Sequence, residues 1–96
     1  MAEDPNRCSG DDRLLVSAAR DGHQRAWDAL VHRYSGEIWA WAGRYKLSRS
    51  DVWDVSLLTW LRLADRLDVI DPDSVGLWLG GTVERESTRL ARLAPR

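Results

Sequence analysis

Apolar side chains recur along this chain at steps of three and four, the spacing that lines one face of an α-helix, and nowhere alternate with the period of two expected of a half-buried strand. Four segments carry the pattern. Leu14, Leu15, Ala18 and Ala19 form a short stripe that stops at Gly22, a residue suited to the left-handed turn after a helix, with Asp11 or Asp12 as the cap at its start. Between His23 and Leu47, the side chains of Trp27, Leu30, Val31, Tyr34, Ile38, Trp41 and Tyr45 share one face, while Arg25, Asp28, Arg33, Glu37 and Arg44 fill much of the rest. Gly36 lies inside that segment and costs about 1 kcal/mol relative to alanine, enough to kink the helix without ending it. Ser48 then serves as a cap with Asp51 in the first turn, opening a helix from about Arg49 to Leu67. This third helix is apolar almost all round. After a turn at Asp68–Asp73, where Asp71 caps and Pro72 takes the first helical position, a fourth helix runs to about Leu93. It turns Val75, Trp78, Leu79, Thr82, Val83 and Leu90 inward, and Pro95 ends it. Residues 1–10 lack periodicity and contain Pro5 and Gly10, so a flexible leader is predicted there. The predicted fold class is all-α, a small bundle of about four helices over residues 11–94.

Length and composition narrow the function. A chain of 96 residues can bury roughly 60–70% of its unfolded surface, which supports one modest core and excludes a two-domain enzyme with a cleft between lobes. Charges nearly cancel, 14 basic against 15 acidic, so nucleic-acid binding by bulk charge is excluded and any such contact requires a local basic stripe. Aromatic packing is concentrated in six tryptophans, with no phenylalanine. The single cysteine, Cys8, cannot form an internal disulfide. No apolar run approaches the ~20 residues of a membrane span and the first ten residues are too polar for a secretory signal, so a cytoplasmic location and no membrane partner are expected. His23 and His32 are nine apart, on different helix faces, and lack partners at metal-ligand spacing. Cys8 has no neighbouring base, and Gly80-Gly81 falls within a helical pattern instead of a phosphate-cradling loop. Neither a catalytic residue, a metal nor a cofactor is therefore expected, and the chain does not read as an enzyme.

Binding surfaces remain. In the third helix, Val52, Val55, Thr59 and Leu63, joined by Trp60 or Ser56, suit the core. Asp54, Leu57, Leu58 and Leu61 occur at i, i+3, i+4 and i+7 and make a second face. That face either covers a neighbouring helix or docks a partner helix, with Asp54 as a polar contact at its edge. In the fourth helix, Arg85, Arg89 and Arg92 align at steps of four and three, as phosphate contacts require, with Arg96 beyond them. Glu84 and Glu86 interrupt the stripe, and Asp65, Asp68, Asp71 and Asp73 make the preceding turn acidic, so a solvated charged face is the plainer reading.

The order of segments resembles region 2 of the extracytoplasmic-function group of bacterial RNA polymerase sigma factors, over about Asp11 to Arg92. Asp21-Gly-His-x-x-Ala-Trp-x-x-Leu-Val-x-x-Tyr34 looks like the family's first segment, Asp51-Val-Trp-Asp54-Val-Ser-Leu-Leu-Thr-Trp60-Leu-Arg-Leu like its polymerase-binding helix, and Val75-Gly-Leu-Trp-Leu followed by Arg85-Glu86 like the approach to promoter contact. The resemblance implies a domain that binds the clamp coiled coil of the polymerase β′ subunit and opens the promoter −10 element, holding unstacked single-stranded DNA. It places Asp54 at the acidic polymerase contact, Arg85 and Arg89 at basic positions of the promoter-facing helix, and Trp78 and Leu79 in a buried pair. An anti-sigma factor is a further partner of such a domain.

This sequence departs from the family at contact positions. Leu57 stands where the family has a nearly obligatory Gln, Leu58 where Glu or Thr is usual, and Glu84 replaces a basic residue. Losing one hydrogen bond to a charged group costs ~1.5–3 kcal/mol, or about 10- to 100-fold in affinity. The family's helix-turn-helix region 4, which reads the −35 element, has no counterpart in the sequence. Two functions follow. One is a sigma-type transcription initiation domain that binds polymerase through Asp54, Leu57, Leu58 and Leu61 and −10 DNA through Arg85, Arg89 and Arg92. The other is a degenerate sigma-like interaction module that docks another protein, or a second copy of itself through the Leu57/Leu58/Leu61 face, without binding promoter DNA.

Overall fold

The computed structural model describes residues 10–93; the expected leader at residues 1–9, Cys8, the stop at Pro95 and Arg96 lie outside them. Four helices follow in order: α1 (Gly10–Arg20), α2 (Gln24–Gly43), α3 (Arg49–Arg66) and α4 (Val75–Leu93), with a 3-10 turn at Pro72–Ser74 leading into α4. There is no strand among the described residues. The molecule is an all-α small bundle. α2 lies at its centre and packs against each of the other three helices, and α4 also packs on α3.

The central position of α2 follows from its pattern. Leu30, Tyr34, Ile38 and Ala42 are buried at successive steps of four, preceded by Ala26. Gly36 interrupts nothing. Tyr45, expected on the same face, falls beyond the last turn, in a reversal that uses Lys46 at a positive φ of 56°. In α3, Ser48 caps as predicted: its Oγ accepts from the Asp51 N–H at 3.0 Å. Val52, Val55, Ser56, Thr59 and Leu63 are buried, and the Thr59 hydroxyl donates back to the Val55 carbonyl at 2.8 Å. Asp71 caps the 3-10 turn through the Asp73 N–H at 3.0 Å. Within α4, Val75, Leu79, Thr82 and Val83 enter the core, while Trp78, expected to be fully buried beside Leu79, is only half-buried against it.

The predictions for α1 need correction. The helix begins at Gly10, within the expected leader, and Asp12 is not its cap: Asp12 lies inside the helix and is fully buried. Its Oδ2 accepts the Tyr34 hydroxyl at 2.5 Å, and its Oδ1 forms an ion pair with Arg33 Nε at 2.7 Å. Of the expected stripe, Leu15 and Ala19 pack against the core while Leu14 points to solvent, and Val16, outside the stripe, is fully buried. Polar contacts add to this apolar attachment of α1. Arg13 pairs with Asp73 at 2.7 Å, and the Arg20 guanidinium donates to the Leu67 and Ile70 carbonyls. Arg20 thus satisfies backbone oxygens of the turn that follows α3.

Candidate functional site

α2 and α3 run antiparallel and are joined along one edge by two tryptophan pairs. Trp27 meets Trp60 edge-on with centroids 6.0 Å apart, and Trp39 meets Trp53 edge-on at 5.7 Å. Such pairs contribute about 0.5–1.5 kcal/mol each beyond their buried area. Four of the six tryptophans are spent on this seam, a role that helical periodicity alone did not reveal.

The seam holds α3 with one face outward. Trp53, Leu57 and Leu61, at i, i+4 and i+8, are 61%, 58% and 56% exposed. Asp54 is exposed beside them, and Leu58 is half-buried at the edge. The expected set of Asp54, Leu57, Leu58 and Leu61 therefore shares a surface, and the structure adds Trp53 to it. Helical geometry puts Asp54 and Asp65 together along one border of this stripe and Trp53 on the other. The result is an apolar ridge with one acidic flank.

A second surface lies between α3 and α4. Arg85 and Arg89 line a groove of about 700 Å³ together with Arg62 and Arg66 of α3 and the half-buried Trp78. Arg92 is exposed further along α4 and does not line it. The two glutamates that broke the stripe in sequence do not break it in space. Glu84 lies on another side of α4, in a groove shared with Trp41 and Arg44. Glu86 is buried and pairs with Arg62 Nε at 3.0 Å and Arg89 Nη1 at 3.2 Å. Its charge is thus balanced by two guanidiniums, consistent with the rule that buried carboxylates are paired. Arg62 and Arg66 do not join this stripe in the sequence, because their alignment with Arg85 and Arg89 depends on how two helices pack.

Burial, then the hydrogen bond to Asp12 and its charge, hold the Tyr34 phenol above its ordinary value, while Arg33 pulls it the other way. His23 and His32 are both exposed. Among the described residues no group of three or more His, Cys, Asp or Glu could hold a metal ion, and no helix is long and apolar enough to cross a membrane. The chain matches no protein-family model, no curated protein and no solved structure.

Proposed function

We propose that this chain is a sigma region 2-like module of transcription initiation, which docks on the β′ clamp coiled coil through the outer face of α3 and contacts the −10 strand through arginines of α4. The observation that carries the reading is the exposure of Trp53, Leu57 and Leu61 in one stripe with Asp54 at its border. Three large apolar side chains on one helix face are a recurrent basis for helix-on-helix docking, and covering each contributes on the order of 1 kcal/mol. The acidic flank selects a partner helix with basic residues beside its apolar ridge. The order of the three sequence segments supports the assignment to transcription, and the clustering of Arg85 and Arg89 away from Glu84 supports the DNA contact.

Titration of the chain with a β′ clamp coiled-coil fragment tests this reading. Micromolar binding that Asp54→Ala weakens about 10-fold is the expected outcome. Absence of a complex at tens of micromolar overturns it. A specific observation favours the second reading, a sigma-like module with a different protein partner: Leu57 is exposed at the position where the family has Gln. Leu57→Gln separates the two. Stronger clamp binding identifies the clamp as the partner, whereas loss of an interaction with some other protein shows that the face has been reassigned.

A further inference from the structure

The groove between the end of α2 and the first turns of α4, about 360 Å³ in volume, shares no lining residue with the α3 ridge or the arginine groove. Trp41 and Tyr45, one helical turn apart on α2, give it two half-buried rings. Leu77 of α4 also lines it and, at 81% exposed, is the most exposed large apolar side chain among the described residues. Between them the surface of α4 is bare backbone at Gly80 and Gly81. Packing within the chain requires neither glycine. A Cβ at Gly80 would stand in ordinary contact with Trp41 at 4.0 Å, and one at Gly81 would meet nothing within 4 Å. Two adjacent glycines weaken a helix, and what they leave here is room. Arg44 and Glu84 line the same groove. Both are exposed and neither forms an ion pair among the described residues, so opposite charges share one concavity without pairing.

We propose that this groove binds a free α-amino acid with an apolar or aromatic side chain. The Arg44 guanidinium takes the carboxylate bidentately, the Glu84 carboxylate takes the ammonium, and the side chain lies across the Trp41 and Tyr45 rings and covers Leu77. A molecule carrying both charges bridges Arg44 and Glu84 where they do not reach each other. A simple anion would face Glu84 and a simple cation would face Arg44, so each would meet a like charge in the same groove. The volume stands near the lower end of small-molecule sites, roughly 300–1,000 Å³, which suits a ligand the size of one residue. This site uses none of the residues assigned to polymerase or DNA and so goes beyond that reading.

Calorimetric titration of the full chain with L-phenylalanine and with L-leucine tests the site. Saturable binding of at least one of them, with Kd below about 1 mM, is expected. N-acetyl-phenylalanine and phenylalanine amide each lack one of the two charges and should bind about 10-fold or more weakly. Glu84→Gln and Arg44→Gln, both at exposed positions, should keep the wild-type melting temperature and each lose about 10-fold in affinity for the unmodified amino acid. Gly81→Leu puts a side chain into the open space; it should raise the melting temperature, since leucine is the better helix former, and abolish binding. Any of three results overturns the assignment: a Kd above about 1 mM for both amino acids, a derivative lacking one charge that binds as tightly, or undiminished binding by Glu84→Gln or Gly81→Leu. Leu57→Asp and Arg85→Ala should leave amino-acid binding unchanged, so this site and the docking and DNA contacts can fail separately.

Discussion

Lys46 closes the end of α2 in the left-handed region, φ 56°, a conformation that costs an L-residue with a side chain ~1–2 kcal/mol and glycine almost nothing. Glycine also has more freedom to lose on folding, so the two effects oppose, and the strain is the larger. Lys46→Gly should therefore stabilise the chain by about 0.5–1 kcal/mol, read as a rise of several degrees in melting temperature. A second residue-scale prediction concerns Tyr34. Its phenol is raised above the ordinary value by burial and by Asp12, so the folded state favours the protonated form. The sign follows: this contribution is fully present below the unfolded phenol value of about 10 and is lost as pH rises toward the folded value. Urea unfolding at neutral pH and at about pH 11 should show the loss, and Tyr34→Phe should remove that part of the dependence. Gly76 belongs to the same site, because a Cβ there would lie 3.1 Å from the Tyr34 hydroxyl oxygen.

Among the elements, α3 divides its labour around its circumference. Val52, Val55, Thr59 and Leu63 fill the core, and the Trp27–Trp60 and Trp39–Trp53 pairs bind one border to α2. Trp53, Leu57 and Leu61 are left outward. Because Leu57 is more than half exposed, Leu57→Asp should change unfolding free energy by no more than about 0.5 kcal/mol. The same substitution should abolish docking on the clamp fragment, since it puts a charge in the middle of the ridge. Equal loss of stability and binding would show that Leu57 serves the fold instead. α1 follows another logic. It packs Val16, Leu15 and Ala19 on the core and adds polar attachments through Asp12, Arg13 and Arg20. The apolar stripe registers Leu15 and Ala19 but not the part of the attachment made by charges.

On the scale of the whole molecule, the asymmetry of the α3 ridge decides what can cover it. Two copies pairing antiparallel about a two-fold axis would set the Asp54–Asp65 border of each against the same border of the other. Like charges so placed oppose association. A helix with basic flanks meets no such penalty. Sedimentation velocity at neutral pH should accordingly show a monomer at concentrations where the clamp fragment forms a complex. A dimer that Leu57→Asp dissociates would assign the ridge to self-association. The arginine groove adjoins the ridge at Asp65, so the apolar helix surface and the cationic groove share that acidic border.

The all-α class, the spans of the three long helices within a few residues, and the core faces of α2 and α3 are legible in the order of amino acids alone. Each of these depends on interactions three or four residues apart, which periodicity reports directly. The caps at Ser48 and Asp71 were legible for the same reason, since each bond is made within a turn. Which charges are buried and which surfaces form depends on how the helices pack together. Asp12 reads as a helix cap until Tyr34 and Arg33 of α2 close over it, and Glu86 reads as an interruption until Arg62 of α3 reaches it. The partners of those carboxylates are brought near by helix packing, so no local pattern could have announced them.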